Sequence, residues 1–300
     1  MSISVLATLS PDLLSDVRQL TAYPFMVSAL EAGAVVAVMS GVAGWFMVLR
    51  RESFAGHTMS VMAFPGATGA LLIGLPAAAG YFAFSAVAAL VIGGVASGAR
   101  GDRRDESAVT GTVQAVALAC GFLFLSLYHG VLGNYESLLF GSFLGITRGQ
   151  VVVLAIVCAL ALAFLALTGR PLLFASVDEP VARARGVPTR ALAQAFLLVL
   201  GLAVAETAQI TGVLLVFALL IAPAATAQQL TSRIGQGIAL SVIIGILVTW
   251  VGLALAYFYG YPAGFYITSL AFGLYLLTRV VRAALEHPAR AARRPAAVAA

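Results

Sequence analysis

The chain has 300 residues, of which 61% are hydrophobic and 10% are charged, and its mean hydropathy is +1.02. Soluble domains carry charge on about one quarter of their residues, so this composition excludes a water-soluble globular fold. The net charge of +5 rests on arginine alone, because the sequence contains no lysine. The arginines fall in short stretches between apolar segments, which argues against nucleic-acid binding. The composition predicts an all-α polytopic membrane protein.

Nine apolar stretches follow one another along the chain. They run roughly over residues 25–49, 59–75, 81–96, 108–127, 151–167, 191–205, 210–227, 238–257 and 265–277. A spanning helix needs about 20 predominantly apolar residues, so we predict eight or nine transmembrane helices, with eight if one short stretch is re-entrant. The nine-span arrangement places fifteen of the seventeen arginines on one side of the membrane. We predict that this side is cytoplasmic, because arginine-rich loops stay on the cytoplasmic side. Residues 1–22 are then extracytoplasmic, and residues 284–300 form a disordered cytoplasmic tail.

Two of the breaks are longer than simple turns. Residues 129–146 fall on the predicted outer side and suit either a short helix that dips back into the membrane or an amphipathic helix at its surface. Residues 170–190 fall on the cytoplasmic side. There Asp178 can cap a short helix with Pro180 in its first turn, and Gly186 is a stop signal. Such a helix can contact a soluble partner, and the alternative is a solvated loop.

The two cysteines carry no recognisable chemistry. Cys120 and Cys158 each lie inside an apolar stretch and lack the CxxC spacing of thiolate metal sites. We predict that both are packed membrane residues.

Three motifs resemble the permease subunits of the zinc and manganese ABC importers. They read YPFMVSALEAGAVVAVMSGVAGWFMVLRRESFAGHTMSVMAFPGATGALL at residues 23–72, VDEPVARARGVPTR at 177–190, and ITGVLLVFALLIAPAATAQQLTSR at 210–233. Their order and spacing also agree with that family, so the resemblance covers residues 23–281. It implies a type II ABC importer permease-like bundle, with a transmembrane permease domain at residues 23–283.

The resemblance also implies partners. Permeases of this family form homodimers around a central path, bind two cytoplasmic ATP-binding subunits, and receive metal from an extracytoplasmic metal-binding protein. Residues 177–190 would be the coupling segment that docks into the ATPase, through Asp178, Glu179, Pro180, Arg183, Arg185 and Gly186.

Transport, rather than catalysis, is the role that follows for this chain. It has no G-x-x-x-x-G-K-[ST] loop to hold phosphates, so ATP would be hydrolysed on the partner. We expect no cofactor bound by the chain, no nucleic-acid partner, and a place in the cytoplasmic membrane of a bacterium. The cargo implied is a divalent transition-metal ion, with zinc ahead of manganese.

The metal-binding motif of the family is altered here. The pattern G-D-x-x-S-H holds a carboxylate and an imidazole one helical turn apart. In this chain His57 stands at the Asp position and Val61 at the His position, so one ligand is exchanged and the other is lost. A neutral imidazole suits zinc, copper or nickel, and two copies of His57 across a dimer axis could form a two-nitrogen site. The alternative is a polar residue near the inner mouth without metal contact.

Other ionisable residues are secondary candidates for metal binding. Glu206 lies within an apolar region, where a carboxylate is costly, and is interpreted as an entry ligand or gate, or else as a solvated group near the outer end of its helix. His129 and Glu136 could receive metal from a binding protein. Four further residues match motif positions and are interpreted as shaping the path: Ser60, Pro65, Gly66 and Pro223.

Two other functions stay open from the sequence. An ABC permease for a chelated metal or another small solute is compatible with the missing ligands. An ion-coupled secondary transporter would show broken helices in two repeat halves with carboxylates near the bilayer centre, and the sequence has no convincing internal repeat. An intramembrane enzyme is disfavoured because no H-E-x-x-H helix is present.

Overall fold

The computed structural model describes residues 18–98, 103–128, 138–139, 141, 145–213 and 215–291. Within these ranges the regular structure is helical and contains no strand. The helices are α1 Pro24–Arg50, α2 Ser53–Leu72, α3 Ala77–Gly98, α4 Arg103–Leu127, α5 Arg148–Val177, α6 Glu179–Ala184, α7 Thr189–Thr211, α8 Val216–Leu230, α9 Ile234–Tyr259 and α10 Ala263–Ala291.

The long helices match the nine predicted apolar stretches in order. Six of them, α1, α3, α5, α7, α9 and α10, are long and apolar enough to cross a membrane. The apolar part of α4, Gly111–Leu127, and helix α8, Val216–Leu230, are apolar but shorter. The predicted all-α polytopic fold is confirmed.

Helix α2 carries several polar residues, although most of the helix is buried by other helices. Its hydroxyl groups bond back to the helix itself: Thr58 Oγ1 donates to the Phe54 carbonyl at 2.9 Å, and Thr68 Oγ1 donates to the Phe64 carbonyl at 3.0 Å. These bonds satisfy the hydroxyl donors without water. A helix surrounded by protein can therefore tolerate side chains that would be costly against lipid.

Helices α1 and α7 form the centre of the bundle. In their most apolar stretches 67% and 61% of residues are buried, against 17% in α10. Helix α1 packs against α5, α7, α8 and α9, whereas α7 packs against α2, α3 and α5. The α2–α4 group thus lies on one side of the two central helices, and the α8–α10 group lies on the other.

Two glycine positions bring helix backbones into direct contact. A Cβ at Gly44 of α1 would stand 2.0 Å from the Leu220 carbonyl oxygen of α8. A Cβ at Gly66 of α2 would stand 2.5 Å from the Gly80 carbonyl oxygen of α3. Gly66, predicted to shape the path, therefore sets the approach of α2 to α3.

The predicted boundary between the sixth and seventh apolar stretches, near residues 205–210, is wrong. Helix α7 continues to Thr211, and Gly212 ends it with a φ of +74°. The polar residues that suggested a break are satisfied inside the helix, because Thr207 Oγ1 donates to the Ala203 carbonyl and Thr211 Oγ1 donates to the Thr207 carbonyl. Polarity alone therefore did not mark the helix end.

The connection between α7 and α8 is buried rather than exposed to solvent. Thr211 and Val213 are both buried, and the Val213 amide donates to the Leu138 carbonyl at 3.2 Å. The phenolic OH of Tyr81 on α3 donates to the same carbonyl at 3.3 Å. Leu138, in the segment predicted to lie on the outer side, therefore contacts this connection.

The helix α10 extends into the predicted cytoplasmic tail. It runs to Ala291, so residues 284–291 of the segment expected to be disordered are helical. Residues 1–17 and 292–300 lie outside the described part of the chain.

Candidate functional site

The predicted coupling segment forms the short helix α6. Asp178 Oδ1 accepts a hydrogen bond from the Val181 amide at 3.1 Å, and Pro180 lies in the first turn. Gly186 follows the helix with a φ of +80°, a conformation that favours glycine. The sequence predicted the cap, the proline and the stop of this helix correctly, because all three are local signals.

The surface of α6 is charged. Glu179 and Arg183, one turn apart, form an exposed ion pair at 2.5 Å, and Arg185 is also exposed. Behind α6 lies a cavity of about 320 Å³ between this helix and the ends of the long helices. Its charged and polar lining comprises Arg50, Glu52, Glu179, Arg183, Arg190 and Gln194.

Arg50, at the end of α1, makes the densest polar contacts near that cavity. Its Nε and Nη2 donate to Glu52 Oε1 at 3.0 and 2.8 Å, and its Nη1 donates to Ser176 Oγ at 3.1 Å. Burial raises the pKa of the Glu52 carboxyl above its ordinary value, and the Arg50 charge opposes that shift. Arg50 was not among the predicted site residues; the charges clustered between two apolar stretches were the available signal.

His57 lies in the second turn of α2 and contacts α8. Its ring packs edge-on against Phe217, with ring centroids 5.1 Å apart and an interplanar angle of 61°. The Nδ1 atom is buried and has no hydrogen-bond partner among the described residues. Val61, at the lost ligand position, is buried and apolar. A buried imidazole nitrogen without a partner is chemically able to accept a metal ion or a proton donor.

Glu206 on α7 is fully buried, with 0% of its surface exposed. Neither carboxylate oxygen has a hydrogen-bond partner among the described residues. The sequence-based alternative of a solvated carboxylate near the outer end of its helix is therefore wrong. The error follows from the misplaced end of α7, which made Glu206 look closer to the surface than it is.

Polar groups near Glu206 connect α7 and α5 to α1. Next to it, Thr207 Oγ1 and Ser40 Oγ are 2.8 Å apart, which joins α7 to α1. Cys158 on α5 lies within electrostatic range of Glu206, and its thiol donates to the Val35 carbonyl on α1 at 3.7 Å. Glu206 thus lies where three helices meet, among groups that leave its carboxyl unpaired.

Among the described residues, the predicted site residues are not gathered into one cluster. In the described part, no group of three or more His, Cys, Asp or Glu side chains could hold a metal ion. His57 contacts α8, whereas Glu206 lies on α7 within electrostatic range of Cys158 on α5. Ser60 Oγ donates to the His57 carbonyl at 2.8 Å, so this hydroxyl bonds to its own helix.

Of the remaining predicted positions, two lie in described helices and two lie outside the described residues. Pro65 and Pro223 lie inside α2 and α8 and are buried. His129 and Glu136 lie outside the described residues.

Residues 22–282 match the family described as the ABC 3 transport family. The chain belongs to this family. It is 30% identical over 259 residues to the manganese transport system membrane protein MntC of Halalkalibacterium halodurans, covering 86% of this chain and 88% of the relative. It is 29% identical over 248 residues to the chelated iron transport system membrane protein YfeC of Yersinia pestis, covering 83% of each.

A solved structure agrees with the sequence relatives. PsaBC from Streptococcus pneumoniae in complex with Fab contains a chain that aligns with a TM-score of 0.80 and 26% identity, covering 89% of this chain and 95% of that one. The predicted family, the predicted permease fold and the membrane location are confirmed. This protein is thus a membrane subunit of an ABC transport system.

Proposed function

We propose that this chain is the permease subunit of an ATP-driven importer that moves a divalent transition-metal ion across the cytoplasmic membrane of a bacterium. Family membership supports transport through an ABC system, and the two relatives named above belong to manganese and chelated iron transport systems. These names favour manganese or iron as cargo. Zinc stays a prediction that rests on the imidazole at His57.

The observation that carries the proposal is the unpartnered Nδ1 of His57 inside the bundle. Buried polar atoms in proteins are nearly always paired, so an unpaired nitrogen calls for an explanation. A transported ion that binds there briefly provides one. A single imidazole from each of two copies would bind weakly, which suits an ion that must also leave.

Glu206 is the second candidate contact for the ion. An isolated carboxylate inside a membrane protein is costly and is kept where it serves a function. Its burial between α1, α5 and α7 suits a gate that takes up a cation when these helices separate. In the arrangement described, its carboxyl makes no hydrogen bond within the described chain.

The proposed partners follow from the family and from α6. They are a second copy of this chain, two cytoplasmic ATP-binding subunits and an extracytoplasmic metal-binding protein. The exposed charged helix α6 would provide the contact with the ATPase, through Glu179, Arg183 and Arg185. Transport uses ATP on that partner, and the metal is cargo rather than a cofactor of this chain.

A permease for a chelated metal is the second candidate. It is favoured by the named chelated iron relative and by Val61, which removes one ligand that a free ion would use. A chelate keeps most of its ligands while it moves, so it needs fewer donors from the protein.

The test is metal uptake into vesicles that contain the chain with its ATPase and binding protein, measured with zinc, manganese, copper, nickel and an iron chelate. His57→Ala should abolish uptake of the free ion while the complex still assembles. Met62→Ala, at a partly buried position of the same helix, is the matched control and should retain uptake. If uptake of each free metal is indifferent to His57, the site assignment fails, and uptake of the chelate alone would support the second candidate.

A further inference from the structure

We propose that Arg50 transmits movement of the coupling helix α6 to α2, the helix that carries His57. The inference rests on the proposed ATP-driven function, because it concerns how the work of the ATPase reaches the metal path. Arg50 would be a positioning residue, since it does not touch the proposed cargo site itself.

The first link joins Arg50 to the start of α2. Glu52 is the N-cap residue of α2, and its Oε1 accepts from both Nε and Nη2 of Arg50. A guanidinium holds such a pair of bonds in a fixed plane. The direction of the Arg50 side chain therefore fixes the position of the residue from which α2 begins.

The second link joins Arg50 to the end of α5. Its Nη1 donates to Ser176 Oγ, and Ser176 donates in turn to the Leu172 carbonyl at 2.6 Å. Ser176 therefore uses its own proton within α5 and accepts from Arg50. It lies in the last turn of α5, directly before Val177 and the Asp178 cap of α6. A displacement of α6 therefore acts on this turn, because the turn leads directly into the cap of α6.

The guanidinium is also held from a third side. It lies 5.2 Å from the centroid of the Phe196 ring on α7. Its side chain is only 11% exposed, and that of Glu52 is 22% exposed. Arg50 is thus enclosed by α2, α5 and α7, so it has little freedom to absorb a movement without passing it on.

A cavity lies between α6 and the Arg50–Glu52 pair. Helix α6 packs on α5 and α7, and a space of about 320 Å³ lies between it and these two residues. Movement of α6 can reach α2 by way of α7, which packs against both helices, but the open space interrupts side-chain packing on the direct route. The Ser176–Arg50–Glu52 chain of hydrogen bonds runs beside the cavity and connects the two helices.

The experiment measures metal transported per ATP hydrolysed in vesicles containing the whole complex, for wild type, Arg50→Gln and Arg50→Lys. Both variants should assemble and hydrolyse ATP, but their ratio should fall by about tenfold or more, in the range of typical coupling effects. Lysine should not rescue, because it lacks the planar fork that bonds Glu52 and Ser176 together. Arg51→Gln is the matched control; Arg51 is exposed, and the wild-type ratio is expected.

A merely structural role would lower transport and ATP hydrolysis together, in proportion to the amount of complex assembled, and would overturn the proposal. If Arg50→Gln does not assemble, Ser176→Ala replaces it, because this change removes only the α5 contact. A lowered ratio in Ser176→Ala supports the proposal, and an unchanged ratio contradicts it. Uptake by wild-type vesicles tests the proposed function separately. If the wild-type complex takes up no metal, the proposed function is contradicted rather than the role of Arg50.

Discussion

Replacing Glu206 by methionine should stabilise the protein. The carboxyl is fully buried and makes no hydrogen bond within the described chain. A buried polar group without a partner costs about 1–3 kcal/mol. Methionine is of similar length, unbranched and adaptable in shape, so it should fill the same space at little cost.

The expected magnitude follows from that cost. Glu206→Met should raise the free energy of unfolding by about 1–3 kcal/mol. For chains of this size about 2 °C of melting temperature corresponds to each kcal/mol. The melting temperature in detergent, followed by intrinsic fluorescence, should therefore rise by about 2 °C or more.

The matched control lies one residue away. Thr207→Val also removes a polar group from α7, but this hydroxyl donates to the Ala203 carbonyl and lies 2.8 Å from the Ser40 hydroxyl. Its loss leaves Ser40 without this contact in a buried position, so the melting temperature should fall. The two neighbouring substitutions should thus have opposite signs.

A melting temperature of Glu206→Met below that of the wild type would refute this reasoning. It would mean that the carboxyl has a stabilising partner, such as a bound cation. Repeating the measurement after treatment with a metal chelator tests for such a cation. If a cation is bound at Glu206, the chelator should lower the melting temperature of the wild type but not that of Glu206→Met.

Other substitutions probe helix contacts and charge. Gly44→Ala should destabilise the bundle, because its Cβ would stand 2.0 Å from the Leu220 carbonyl oxygen; Gly273→Ala, with open space around it, should be neutral or stabilising by up to about 1 kcal/mol in thermal melts. Burial raises the pKa of Glu52, so its charged form costs stability as pH rises above the ordinary value of 4.5. The melting temperature of Glu52→Gln minus that of the wild type should therefore increase from pH 4.5 to pH 7. A decrease in this difference would mean that Arg50 lowers the pKa of Glu52 instead.

Local signals explain what the sequence predicted well. The cap at Asp178, the proline at position 180 and the stop at Gly186 each act within a few residues, so helix α6 could be located before its contacts were known. The apolar stretches likewise marked the long helices in order. These features depend on neighbours along the chain and on the thickness of the membrane.

Long-range contacts explain which features of the site the sequence did not predict. The partner of Arg50 on α5, Ser176, is 126 residues away, and no local pattern connects the two. The burial of Glu206 depends on how α1 and α5 pack against α7, whereas its sequence context suggested only a polar helix end. The unpaired nitrogen of His57 likewise depends on the packing of α2 against Phe217 of α8.

The central claim is ATP-driven import of a divalent transition metal through this chain. The most direct measurement is the metal content of vesicles reconstituted with this permease, its ATPase and its binding protein, by mass spectrometry after incubation with ATP or a non-hydrolysable analogue. The proposal predicts accumulation of one transition metal against its gradient with ATP and none with the analogue. Equal metal contents under the two conditions, for each metal and for the iron chelate, would contradict it.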